Sequence, residues 1–432
     1  TTGSRNIAIG YEAYDNSDTE DDNIAIGYRA MTVDTAGGTR NLALGNYALD
    51  ALTSGDDNIA VGYNALGANN SGVANVAVGR AALILNTTGD SNVAIGAYAL
   101  DANTTGVDNV AVGRHASGGS QTVTGITAIG HETLKVSVGA NNTAIGHKVM
   151  LENTTGAKNT AVGYKSLLNN TTGNNNVAIG MNASGLLSTG DNNTSVGYAA
   201  LYNNVATRNT SVGYANLFAN TTGADNTALG SSALYANTTG TRNIAIGVNA
   251  YSASDTEDDN IAIGYNAMTV NTAGGTQNVA IGNYSSDRLT SGDSNTCVGH
   301  NSGTQITTGT ANHCIGNAAG GSLTTGGNNV AIGSNAMSHD IGTTDGDQNV
   351  VIGTNCDTSA TGSSNQIVIG YNVTGNADSS FVFGVDGTDS AIAFGETSIS
   401  APSDIRLKEN INDSTAGLSF INDLRPVTFN WK

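Results

Sequence analysis

The chain has 432 residues, of which 57 are glycine and only 2 are proline; with no Gly-X-Y phase either, a collagen-like triple helix is excluded. The formal net charge of −19 argues against nucleic acid as a partner and favours solubility. Three cysteines make neither a disulfide framework nor a zinc pattern, and no segment is long and apolar enough to insert in a membrane as a helix.

The chain opens in mid-pattern at Thr1-Thr2-Gly3, without Met or a visible signal peptide, and reads as part of something longer. From Asn6-Ile7-Ala8-Ile9-Gly10 onward, an Asn-x-Ala-x-Gly motif recurs in 22 copies, mostly 17 residues apart, as far as Gly370. Apolar residues held in phase over that distance exclude a disordered low-complexity chain and indicate a solenoid, in which each unit stacks only on its neighbours. With the motif Asn as position 1, position 4 is always Ile, Val or Leu, while position 2 also admits Thr, as at Thr127, Thr194 and Thr296. Both belong to one face of a short strand, and the stricter position 4 is expected to be the more deeply buried. Position 3 is Ala, replaced only by Ser195, Ser211, Cys297, Cys314, Val351 and Val368. Small side chains there imply close packing of another part of the coil or of another subunit. The invariant glycine at position 5 supplies a positive φ or admits a close backbone; the sequence leaves both readings open.

A second apolar pair follows, as in Ala65-Leu66 and Ala82-Leu83, and a polar turn such as Asn86-Thr87-Thr88-Gly89 closes the unit. The predicted fold is therefore all-β, a parallel β-solenoid or β-roll of about 22 coils and roughly 100 Å in length. The recurrent Asn residues read as stacked amide ladders with a structural role. Residues 1–57 recur almost intact at 238–294, as expected of segmental duplication in a fibre. Cys297 and Cys314 share one column with Ala and Ser, so they read as free, buried thiols.

Position 6 is the candidate binding column. It carries Tyr11, Tyr28, Tyr63, Tyr164, Tyr198, Tyr214, Tyr265 and Tyr371, with Arg80, Arg114, His131, His147 and His300 in other coils. Such a stripe suits either a sugar- or partner-gripping surface or a subunit interface. His131 and His147 would chelate a metal only if the column faced a symmetry axis; no metal and no cofactor is predicted. One expanded turn, Ser338 to Gln348, contains Asp340, Asp345 and Asp347, but acids are common in turns and paired carboxylates flanking a cleft are not evident.

The pattern breaks after Gly370, which divides the chain into a shaft (1–370), a transition region (371–402) and a terminal segment (403–432). Five of the six Phe lie beyond residue 380, and a thicker core is expected there. The terminal segment contains Ser403-Asp404-Ile405-Arg406-Leu407-Lys408-Glu409-Asn410-Ile411 and Leu424-Arg425-Pro426-Val427-Thr428-Phe429-Asn430-Trp431-Lys432. These two blocks resemble the start of the intramolecular chaperone domain of phage tail spikes and fibres, the endosialidase-type S74 peptidase family. The resemblance implies assembly of three chains, followed by self-cleavage at or beside Ser403, with Ser403 as nucleophile and Lys408 as its base. The repeats are also similar to the coils in the heads of trimeric autotransporter adhesins, though those coils are shorter. Together the resemblances imply a homotrimeric phage tail fibre, extracellular on the virion, whose partners are itself, other tail proteins and a host surface glycan or other receptor. The alternatives are a bacterial surface adhesin head and a tail-spike glycan depolymerase.

Overall fold

The computed structural model describes residues 3–16, 19–33, 37–119, 122–270, 274–338 and 345–395. From β1 (Ile7–Ile9) to β22 (Ile367–Tyr371), the motif strands stack parallel and in register, with Ile59 over Val76, Ala60 over Ala77 and Val61 over Val78 in a typical pair. No helix occurs among the described residues. The predicted parallel β-solenoid is therefore the fold. Its sheet continues past residue 370: β23 (Ser380–Val385) pairs parallel with β22, and β24 (Ser390–Ala393) then turns back antiparallel.

Hydrogen bonds between coils are not confined to the strands. In the coil beginning at Asn58, the amides of Ile59, Leu66, Ala68 and Asn70 donate to carbonyls of the following coil, and those of Gly62, Asn64 and Ala74 to the preceding one, all at 2.8–3.0 Å. This requires left-handed backbone at three non-glycine positions per coil, represented by Asn64 (φ 58°), Leu66 (φ 50°) and Ala74 (φ 56°). Each such residue costs about 1–2 kcal/mol, offset by the bonds its conformation permits between coils.

The strand faces the opposite way from the expectation for position 4. Position 3 points inward: Ala60, Ala77 and Ala94 are fully buried, as are its substitutes Ser195, Ser211, Cys297, Cys314, Val351 and Val368. No position 4 residue is buried, and Ile9 is 59% exposed, Leu229 45% and Leu44 42%. The physical reason is volume. Positions 8 and 9, such as Ala65 and Leu66, are fully buried and fill the interior with position 12, leaving room opposite them only for a small side chain. The same inversion corrects the expectation of a thicker core for the described residues beyond 380; Phe420, Phe429 and Trp431 lie outside them. Phe381 and Phe383 stand over Ile367 and Ile369 on the outward columns, while Val382 between them is buried.

Core volume is exchanged between positions 9 and 12. Where position 12 is Asn (Asn69, Asn86, Asn103, Asn153), position 9 is a large Leu or Met (Leu66, Leu83, Leu100, Met150). Where position 12 becomes Leu187, Leu289, Ile306 or Leu323, position 9 shrinks to Ser184, Ser286, Gly303 or Gly320. The coil with Leu49 and Leu52 keeps both side chains large, and both are buried. At Gly303 and Gly320 the vacated space is taken by the sulfurs of Cys297 and Cys314, against which a Cβ would collide. All three cysteines are free and buried, as expected for Cys297 and Cys314. The hydrogen bond with Cys297, together with burial, pushes the Cys314 thiol well above its ordinary value.

Two amide ladders satisfy the polar interior. At position 1, the Asn75 amide N–H donates to Asn58 Oδ1 at 3.0 Å, and Asn75 Nδ2 donates to the Gly89 carbonyl at 2.8 Å, tying the strand to the turn of its own coil. At position 12, Asn86 Nδ2 donates to Asn69 Oδ1 and to the Gly89 carbonyl, both at 2.9 Å. Where the second ladder stops, its last acceptor is left over: Asn170 Oδ1, followed one coil later by Leu187, and Asn237 Oδ1, followed by Ser254, have no partner. The duplicated coils share a local solution, since the hydroxyls of Tyr14 and Tyr251 accept from Nδ2 of Asn23 and Asn260 at 2.6 and 2.5 Å.

The position 5 glycine serves both purposes left open by the sequence. Gly163 has φ 129°, and a Cβ on it would sit 2.6 Å from the Gly180 carbonyl oxygen. Gly274 has φ 103° with nothing within 4 Å of such a Cβ. Gly163→Ala is therefore expected to destabilise by about 3 kcal/mol or more, and Gly274→Ala by only about 1–2 kcal/mol. Chemical denaturation of the two variants checks this; equal losses would show that backbone conformation alone demands glycine at position 5.

Candidate functional surfaces of the shaft

Strand alternation and the glycine corner set three outward columns beside one another: positions 2 and 4 on the strand, and position 6 beyond the corner. All eight tyrosines of the candidate column are exposed, from 40% at Tyr28 to 67% at Tyr11. Where tyrosines occupy position 6 of successive coils, the rings meet one another. Tyr11 stacks on Tyr28 (centroids 5.6 Å, planes 9° apart) and Tyr198 on Tyr214 (5.3 Å, 10°). A stacked ring gives its flat face to its neighbour and offers a partner chiefly its edge and hydroxyl.

The column is interrupted and supplemented by residues that its register in the sequence does not reveal. Tyr47 and Tyr284, one position further on, contact Tyr28 and Tyr63, and Tyr265 and His300, edge-on. The Arg80 guanidinium lies 5.5 Å from the Tyr98 ring centre, and Tyr98 stacks on His115. A second ladder at position 10 joins Tyr202, Phe218 and Tyr235, at 5.5 and 5.4 Å with nearly parallel planes. Their spacing of one coil was the available signal for it.

His131 and His147 do stack, 5.2 Å apart, and with Glu132 they present donor atoms all within 4.8 Å of one another. Two of the three, His131 and Glu132, already have basic partners. Arg114 contacts His131 Nε2 at 3.1 Å, and Lys135 and Lys148 lie 3.1 and 3.7 Å from the Glu132 carboxylate, where the Lys135 hydrogen bond holds the Glu132 carboxyl below its ordinary value. In the expanded turn, Asp347 Oδ1 accepts from the Gly327 amide at 2.6 Å, a turn contact between coils like that of Asp56 with Thr39. Asp340 lies outside the described residues, as do Ser403, Arg406 and Lys408.

Charge on the shaft follows the same stacking rule. At the last residue of each coil, position 17 in coils of the usual length, arginine sits over aspartate in a two-pronged pair: Arg5 with Asp22, Arg40 with Asp57, Arg208 with Asp225 and Arg242 with Asp259, each with bonds of 2.5–2.8 Å. The guanidinium hydrogen bond holds each of these carboxyls below its ordinary value. Position 10 contains the opposite case. Burial pushes the Asp101 carboxyl up, and its Oδ1 is buried without a hydrogen-bond partner. A carboxyl raised in the folded state favours folding below its unfolded pKa of about 4, and loses that advantage as pH rises through the folded value. Asp101→Asn is therefore expected to raise the melting temperature at pH 7 by about 1–2 °C and to leave it unchanged near pH 3. Thermal melts at the two pH values check this; a destabilised variant at pH 7 would mean that the carboxylate is stabilising in place.

No curated protein matches the chain. Residues 403–432 match the Peptidase S74 family, described as the chaperone of endosialidase, so the β-solenoid is followed in the chain by a segment of endosialidase-chaperone type.

Proposed function

We propose that the chain is a structural and receptor-binding fibre of a phage tail, a homotrimer assembled by its C-terminal chaperone segment. The observation that supports this most directly is the order of parts: a long, regular β-solenoid leading into a segment that matches the endosialidase chaperone. A solenoid of this kind is a spacer by construction, because each coil contacts only its neighbours and length is added without changing the fold. It also repeats any surface site along its length, so weak contacts of the Tyr11–Tyr371 column with a host glycan or other receptor would add through avidity. Other tail proteins would hold the shaft on the virion. An adhesin head is disfavoured by the chaperone match. A depolymerase is disfavoured by Asp347, which is engaged in holding a turn.

Assembly would be followed by a single self-cleavage. Ser403 Oγ would attack an adjacent peptide carbonyl as Lys408 takes its proton. The C–N bond would break, the amine would leave with that proton, and water would hydrolyse the resulting ester. The lysine can act this way only when neutral, through burial or a neighbouring cation such as Arg406.

The test compares full-length wild type with Ser403→Ala by denaturing gel and native mass spectrometry. A trimer in both, with a C-terminal piece released only from wild type, is the expected result. Trimers without release from wild type would remove the roles of Ser403 and Lys408, and a stable monomer would overturn the fibre assembly.

A further inference from the structure

Positions 2 and 4 pose a problem that the isolated chain does not solve. Position 4 is Ile, Val or Leu in every one of the 22 motif copies, yet none of these residues is buried by its own coil. A position facing only water would tolerate polar residues, as positions 13 and 14 do at Asn70, Ser71, Thr87 and Thr88. With position 2, aliphatic in 14 of the 22 copies and Thr or His in the others, these side chains make a mainly apolar stripe roughly 100 Å long and about 10 Å wide, on the order of 1,000 Å². Contiguous apolar patches on soluble monomers are about 300–600 Å². The stripe does not fade at its C-terminal end, where Phe381 and Phe383 continue the columns of Ile367 and Ile369.

We infer that this stripe is the seam between chains, and that what covers it is two further copies of the same chain laid alongside. The inference rests on the trimeric reading above and assigns it a surface. The occupant must match an apolar position 4 column that repeats at the spacing of the coils without a break from β1 to β23, a condition that another copy of this shaft meets. An area on the order of 1,000 Å² per chain is also what a stable protein interface needs. The flanks resemble an interface rim, with the Arg–Asp pairs of position 17 on one side and the tyrosine column on the other. Position 4, which never becomes polar, lies nearer the centre of the seam than position 2, which admits Thr143, Thr160 and His313. The tyrosine column is left at the edge, open to a receptor.

Cysteine labelling of the full-length chain tests this, since the native cysteines are buried. Ile179→Cys and Val196→Cys probe position 4, and Thr222→Cys probes an exposed turn in a neighbouring coil. Native mass is measured on each sample together with maleimide reactivity. In a trimer, the two position 4 cysteines are expected to react at least about tenfold more slowly than Thr222→Cys. Equal rates in a sample shown to be trimeric would overturn the seam while leaving the trimer intact. A monomeric wild-type mass would overturn both. Should a single cysteine prevent assembly, Ile179→Val and Val196→Ile, which keep the apolar surface, are expected to remain trimeric; their dissociation would contradict a seam that accepts any branched aliphatic residue.

Discussion

Successive coils stack with each residue directly over its counterpart one interstrand spacing away, and this constraint governs every side chain in the shaft. A residue at a given position meets the same position above and below, so it must be compatible with copies of itself. Asparagine qualifies because its amide both donates and accepts, as in the run Asn58, Asn75, Asn92. Aromatic rings qualify by stacking, and charges by alternating in sign, as Arg40 does over Asp57. The position 5 glycine is the strictest case, because the counterpart it meets is the backbone itself.

Stacking also explains how so thin a body holds together. The interior is about one side chain deep, too little for hydrophobic burial alone to order so much backbone. Hydrogen bonds between coils around most of the circumference, together with buried amides that share the same spacing, supply the rest. The left-handed residues at positions 7, 9 and 17 turn the backbone groups along the rod axis, where partners are always present.

The same geometry separates the two kinds of surface on the shaft. Columns that stack well on themselves, such as the tyrosines and the Arg–Asp pairs, are stable facing water. The aliphatic columns at positions 2 and 4 gain little from one another compared with what they lose by hydration, so they are the part of the shaft that calls for a partner. With the proposed seam, a chaperone segment after the shaft fits that need, because an apolar stripe of this length would have to find its partners before it finds other chains.

Much of the architecture was legible in the sequence. The 17-residue period, the run of coils, the amide ladders, the core pair at positions 8 and 9 and the free cysteines all follow from rules that act within one coil or between adjacent coils. Register was legible too, since a motif kept in phase can stack only on itself. What the tertiary structure decided was the direction in which the strand faces. In Ile-Ala-Ile or Val-Ala-Val both faces are apolar, so alternation alone cannot choose between them. The choice is made by volume across the coil: Leu66 and its counterparts occupy the interior from the far side, and only a small side chain such as alanine or serine fits opposite. That space is formed by residues distant from the strand along the backbone path of each coil, and its size depends on the left-handed turns, which short-range sequence patterns do not disclose.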